Sequence, residues 1–151
     1  MNRPAVLARA AEDLCIALQV RVPKIRSLLL TGVECPGVEA LAEQLQVALR
    51  SAGKDVALIR PGGRSEFVPE PLLDVANLRD AIAELAGTHI VIAVALDVAG
   101  PDAGPMLASV EGAVLVVRDQ RTQSESLVRA VDRARNLGCG LVGAVLVEED
   151  I

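Results

Sequence analysis

Aromatic side chains are almost absent from this sequence. Phe67 is the single aromatic residue, and the chain contains no Trp and no Tyr. Proteins that hold single-stranded nucleic acid stack the bases on aromatic rings. The formal net charge of −5 at pH 7 also repels phosphate backbones. Nucleic acid is therefore excluded as the expected partner.

Cysteines and long apolar runs are also scarce. Cys15, Cys35 and Cys139 are odd in number and lie far apart, which predicts neither a disulfide framework nor a zinc site. The amino-terminal residues MNRPAVLARAAEDL hold no apolar stretch long enough for a secretory signal. The longest apolar run, Ile90–Leu96, is about a third of a bilayer span. These features predict a cytoplasmic protein that binds no metal and does not itself cross a membrane.

What the sequence does contain is an alternation of strand-like and helical segments within 151 residues, the length of one domain (1–151). The strand-like runs are apolar on both faces, as buried parallel strands are. An amphipathic helix and its link occupy 1–22, ahead of an α/β core at 25–147. The order predicts a right-handed, doubly wound, three-layer α/β domain. Strands are predicted at 25–31, 55–60, 89–96, 113–118 and 141–147.

The stretch between the first strand and the next helix has the frame of a phosphate-binding loop. Gly32 and Gly37 have the spacing of the two glycines in G-x-x-x-x-G-K-[ST]. The lysine and hydroxyl positions that follow carry Val38 and Glu39 instead. We interpret the loop as the vestige of a phosphate site. Its residues are Gly32, Val33, Glu34, Cys35, Pro36, Gly37, Val38 and Glu39.

These replacements weaken phosphate binding in two ways. Losing the lysine removes a charge-assisted contact of roughly 1.5–3 kcal/mol. A carboxylate at ~5 Å from a phosphate, with an effective dielectric of ~20, costs roughly 3 kcal/mol per unit charge, and both Glu34 and Glu39 lie in or beside the loop. The sum approaches the roughly 8 kcal/mol of a micromolar complex. We therefore expect no bound nucleotide cofactor.

The phrases LLLTG, LAEQLQVALRSAGKDVALI and EGAVLVVRDQRTQSESLVRAVDRARNLGCGLVGAVLV resemble the cytosolic kinase domain of bacterial tyrosine kinases. These are P-loop proteins that act with membrane polysaccharide co-polymerases in capsule and exopolysaccharide synthesis. The resemblance covers residues 10–147. It implies a P-loop NTPase-like sheet in the strand order 2-3-1-4-5, with the first strand central.

The sequence departs from that family where the family's chemistry resides. The Walker A lysine corresponds to Val38 and the metal-binding hydroxyl to Glu39. The acidic residue at the end of the second strand corresponds to Arg60. The Walker B aspartate, expected where the third strand ends, corresponds to Ala93. The family's tyrosine-rich tail has no counterpart, since the chain has no tyrosine.

The first helix departs as well. The family's oligomerising helix carries a Glu followed by two Arg at three-residue steps, whereas here Glu12 is followed by Cys15 and Leu18. The family's ring oligomer is therefore not expected. The segment 60–74 is the one long irregular stretch, and loops of that length are often functional.

These departures predict a pseudoenzyme with no catalytic residues, which binds the cytosolic tail of a membrane polysaccharide co-polymerase or another export protein. Asp97 and Asp102, after the third strand, are either a residual metal site or solvated loop residues. Two alternatives remain open for the whole protein. One is an enzyme or sensor that binds a non-standard nucleotide or small anion at the altered loop. The other is an interaction domain unrelated to polysaccharide.

Overall fold

The computed structural model describes residues 3–35, 37–67, 70–72, 74–118 and 124–147. Helices and strands alternate along the chain, as the hydrophobic pattern predicts. The elements are α1 (Arg3–Arg21), β1 (Ser27–Val33), α2 (Val38–Ser51), β2 (Val56–Ile59), a 3₁₀ turn (Pro61–Gly63), α3 (Val75–Ala86), β3 (Ile90–Ala95), α4 (Ala103–Leu107), β4 (Gly112–Arg118), α5 (Ser124–Asn136) and β5 (Gly140–Val147).

The five strands form one parallel sheet in the order β2-β3-β1-β4-β5, which confirms the predicted α/β fold and its strand order. β1 lies in the centre, and all seven of its residues are buried. It pairs with β3 as far as Thr31 opposite Ala95, and with β4 as far as Val33 opposite Val117.

Two helical layers cover the sheet. Leu28 and Leu30 of β1 point into a cluster with α1 and α2, whereas Leu29 and Val33 point into a second cluster with α3, α4 and α5. This split follows from the period-two alternation of side chains along a strand. Because both faces are covered, the strands need apolar residues at nearly every position.

The boundary between β1 and the following loop differs from the prediction. The sequence placed the end of the first strand at residue 31 and began the loop at Gly32. In the structure Gly32 and Val33 still pair with Val116 and Val117 of β4. The physical reason is that β4 continues to Arg118 and offers ladder partners beyond Thr31. The loop proper therefore begins at Glu34.

The irregular segment after β2 is folded back on itself in its described part. Arg60 and Arg64 form an isolated antiparallel bridge. The Leu72 N–H donates to the Gly63 carbonyl at 2.9 Å. Residues 68, 69 and 73 of the predicted 60–74 loop lie outside the described residues. In the part of the chain that is described, no helix is long and apolar enough to span a bilayer.

Gly63 is the position where this segment depends on glycine, so Gly63→Ala should destabilise the protein strongly. Its φ is +77°, and a Cβ there would clash with the Leu72 carbonyl group, whose carbon lies 2.7 Å away. Gly53→Ala is the matched control, since φ is +84° there but no atom lies within 4 Å. The control should lose about 1–2 kcal/mol from the left-handed backbone alone. Urea unfolding measures both variants, and equal losses would contradict the packing argument.

Candidate functional site

The candidate site lies at the carboxyl edge of the sheet, above β1. The chain leaving β1 enters α2 on one face, whereas the chains leaving β3 and β4 enter α4 and α5 on the other. Open α/β sheets bind ligands at such a switch point, just beyond the carboxyl ends of the strands. The loop singled out from the sequence therefore occupies the place where a ligand would be expected.

Both positions in the loop require glycine for steric reasons that involve no ligand. Gly37 precedes α2 with φ 86°, a left-handed conformation that other residues rarely adopt. A Cβ on Gly32 would collide with the Cys35 carbonyl oxygen and lie 2.8 Å from that of Leu96. Pro36 lies outside the described residues. The two glycines would thus be required by the strand-to-helix turn itself.

The residue after Gly37 points into the core. Val38 is fully buried in the cluster that α1 and α2 form on the sheet, and Cys35 is 4% exposed in the same cluster. Val38 Cγ2 would lie 2.9 Å from a Cβ on Gly32, so the side chain packs directly beneath the loop. Where the phosphate-loop motif has a lysine, this chain has an apolar contact that holds the loop against α2.

Glu39 and Arg60, the positions of the missing hydroxyl and the missing acidic residue, contact each other. Arg60 Nη1 lies 3.0 Å from Glu39 Oε2 and 2.7 Å from Glu43 Oε1. Hydrogen bonding to Glu43, and then to Glu39, raises the pKa of the Arg60 guanidinium. The three side chains are 41–49% exposed, so each pair contributes at most about 1 kcal/mol. The sequence identified both positions separately and missed that they pair.

Glu34 joins the loop to the opposite helical layer. Its φ of 54° places it in the left-handed region, and its carboxylate accepts a hydrogen bond from Ser126 Oγ. Ser126 lies in the first turn of α5, and Arg129 Nη2 donates to the same hydroxyl oxygen at 3.3 Å. A carboxylate is favoured beside a helix N-terminus. Ser126 was missed from the sequence because it is 92 positions from its partner.

The residue that the resemblance matches to the Walker B aspartate is Ala93. Ala93 does not end β3; it lies inside the strand, opposite Leu29, with its side chain fully buried. β3 pairs with β1 as far as Ala95, close to the predicted end at residue 96, so Ala93 has the interior position that the predicted strand gives it. The acidic residue just beyond the strand is Asp97, so this edge of the sheet does carry a carboxylate.

Asp97 and Asp102 both accept backbone hydrogen bonds. Asp97 Oδ1 accepts from the Ala99 N–H at 2.8 Å, and Asp102 Oδ2 accepts from the Gly62 N–H at 3.0 Å. The second bond attaches the segment after β2 to the start of α4. Over the described ranges, no group of three or more His, Cys, Asp and Glu side chains is arranged to hold a metal ion.

A groove of 720 Å³ opens beside the loop, between α4 and α5. Val33, Val98 and Ala130 give it an apolar floor, and Arg133 lies along its wall. A Cβ on Gly104 would lie 2.9 Å from Arg133 Nη2, so the missing side chain leaves room for this guanidinium. The groove has the size and mixed polarity of a small-molecule site.

Removing the Ser126 hydroxyl should release the loop from α5. We expect Ser126→Ala to lower the free energy of unfolding by about 1–2 kcal/mol, because a hydrogen bond to a charged group is lost. Ser51→Ala, on the exposed last residue of α2, is the control and should change stability little. Chemical denaturation measures both. A Ser126→Ala variant as stable as the control would show that the contact with Glu34 holds nothing.

Comparison with solved structures shows which known domains share this fold. No protein-family model and no curated protein matches the chain. The kinase domain of the Escherichia coli tyrosine kinase ETK superposes with a TM-score of 0.76 at 17% identity, over 92% of this chain and 74% of that one. The BceF tyrosine kinase domain gives 0.73 at 21% identity, over 92% and 76%. The VpsO kinase domain gives 0.76 at 16% identity, over 98% and 97%. The chain therefore has the fold of bacterial tyrosine kinase domains.

Proposed function

We propose that this chain is a catalytically inactive, kinase-like domain that serves as a cytoplasmic binding or scaffold module in exopolysaccharide or capsule biosynthesis and export. The observation that carries the proposal is the contact between Glu39 and Arg60 at the mouth of the loop. Side chains that handle phosphate and metal in a P-loop kinase are replaced here by side chains that bind each other.

The charges around the loop oppose a nucleotide. Arg60 contacts the carboxylates of Glu39 and Glu43. These three side chains, the Arg60 trio, together carry a net charge of −1 (one guanidinium, two carboxylates). The loop itself, residues 32–39, contains Glu34 and Glu39 and no Lys or Arg. A phosphate group at the loop would therefore meet a net negative charge from the loop residues and the Arg60 trio. Phosphoryl transfer depends almost wholly on positioning and electrostatic stabilisation, and the loop residues supply neither.

The proposed partner follows from the resemblance. Tyrosine kinase domains of this fold act with a membrane co-polymerase, and a domain that keeps the fold without the chemistry retains docking as its role. Phe67 supports a docking surface on the segment after β2, because the single aromatic residue of the chain is 42% exposed there. Aromatic side chains are frequent anchors of interfaces. The ring of His89 packs against Phe67 in a tilted arrangement, with the two ring centroids 5.2 Å apart.

The second candidate is a sensor that binds a small anion or a non-standard nucleotide. The groove beside the loop favours it, since Arg129 and Arg133 line that groove one helical turn apart on α5. This candidate and the inactive scaffold differ in one measurable property, which is whether a nucleotide binds.

Calorimetric titration with ATP, ADP and GTP in the presence of Mg²⁺ should show no binding as tight as about 10 μM, which corresponds to roughly 7 kcal/mol. The VpsO kinase domain, titrated in the same buffer, is the positive control. Val38→Lys should not restore binding and should destabilise the fold, because it places an ammonium group at a fully buried position. A dissociation constant at or below that value for the unaltered protein would favour the sensor instead.

Affinity capture from native membranes should recover a polysaccharide-export membrane protein through its cytosolic segment. Phe67→Ala should weaken recovery, whereas Val47→Ala, which removes a 57% exposed side chain from α2, should not. Recovery of no membrane protein, or equal recovery with both variants, would contradict the proposed docking surface. Formation of a stable ring by the purified domain would contradict the expectation drawn from α1.

A further inference from the structure

The feature that the proposed function leaves unexplained is Arg133, which lies along the groove between α4 and α5. Its Nε is shielded from solvent, and among the described residues no group accepts a hydrogen bond from it. The guanidinium also forms no ion pair within the described ranges, whereas Arg60 contacts two carboxylates. A partly buried charge without a partner costs free energy. An anionic acceptor in the groove would therefore be stabilised there.

The helical period makes Arg133 the deepest charged side chain on this wall of the groove. α5 turns Ser126, Ala130 and Ala134 toward the sheet, and all three are buried. Arg133 follows Ser126 by about two helical turns, so it lies on the same side of the helix. Asp132 is turned roughly 120° away from Ser126, and it is exposed. Positive charge therefore lies near the floor of the groove, and the carboxylate of Asp132 lies at its rim.

The other two carboxylates of the groove already accept hydrogen bonds from the protein. Glu34 accepts from Ser126 Oγ, and Asp97 accepts from the Ala99 N–H. Among the described residues that line the groove, the net charge is −1 (two guanidiniums, three carboxylates). A ligand with several negative charges is therefore opposed by the groove as a whole. A ligand with one negative charge can pair with the deep guanidinium.

The apolar part of the groove is aliphatic. Val33, Val98 and Ala130 form the floor, and Leu137 extends it while remaining 39% exposed. Phe67, the single aromatic residue of the chain, is not among the residues that line the groove. A nucleobase would find no ring on which to stack. The volume of 720 Å³ suits a small molecule with an aliphatic body.

We propose that the groove binds a small molecule that carries one carboxylate on an aliphatic body. The carboxylate contacts Arg133, and Arg129 lies one helical turn away on the same wall. The planar fork of a guanidinium matches the two oxygens of a carboxylate. The aliphatic body covers Val33, Val98 and Ala130. This inference goes beyond the scaffold role, and for the second candidate it replaces a nucleotide or small anion with a defined class of ligand.

Calorimetric titration of the full chain with octanoate tests the proposal. 1-Octanol has the same aliphatic chain without the charge, and inorganic phosphate has the charge without the chain. Octanoate should bind with one-to-one stoichiometry and at least about tenfold more tightly than either of the other probes, because only octanoate uses both the guanidinium and the aliphatic floor.

Arg133→Gln should weaken octanoate binding about tenfold or more, because a hydrogen bond between charged groups is lost. Arg135→Gln is the matched control: it removes the same charge from the same helix, at an exposed residue that does not line the groove. A second variant, Leu137→Glu, places a like charge beside the ligand at a partly exposed position and should also weaken binding. Urea unfolding checks that all three variants fold.

Each outcome decides the proposal. Octanoate that does not bind at about 5 mM, or that binds no more tightly than 1-octanol or phosphate, overturns it. An Arg135→Gln variant weakened as much as Arg133→Gln shows that the groove is not the site. If Arg133→Gln does not fold, unchanged affinity in Leu137→Glu overturns the proposal instead. None of these results depends on nucleotide binding or membrane capture, so the proposed function can fail separately.

Discussion

The burial of β1 on both faces is the constraint on which the rest of this structure depends. Leu28 and Leu30 fill one core cluster and Leu29 the other, and the strand pairs with β3 on one side and β4 on the other. Because β1 has a neighbouring strand on each side and a helical layer on each face, the position of its carboxyl end is fixed. The loop beyond it can therefore keep its shape through its own contacts, without a ligand to organise it.

Those contacts run in two directions. Glu34 accepts a hydrogen bond from Ser126 on one helical layer, whereas Glu39 pairs with Arg60 at the end of β2. Val38 anchors the turn from below. In a phosphate-binding loop a bound anion collects backbone N–H groups and a lysine. Here side chains of the protein itself make the cross-connections, which supports a structural role for the turn.

The sequence predicted those features of the fold that depend on local or periodic residue patterns. Strands with apolar residues on both faces, together with amphipathic helices, predicted the sheet and the helical layers that cover it. The resemblance to bacterial tyrosine kinase domains supplied the strand order. The end of β1 was missed because it depends on how far β4 extends as a partner. The end of β3 was predicted more closely, at residue 96 against Ala95 in the structure, and Ala93 lies inside the strand in both. The contact between Glu34 and Ser126 joins distant parts of the chain, and no local pattern records it.

The hydrogen bond between Asp102 and Gly62 has a consequence for communication across the surface. Asp102 directly precedes α4, whose Gly104 faces the groove, and Gly62 belongs to the segment that carries Phe67. A molecule in the groove and a protein on that segment would thus act on the same bond. Linkage between two such sites is reciprocal: if both ligands bind more tightly when this bond is formed, each raises the affinity for the other by the same factor. Coupled binding of this kind transmits a signal without any catalytic step.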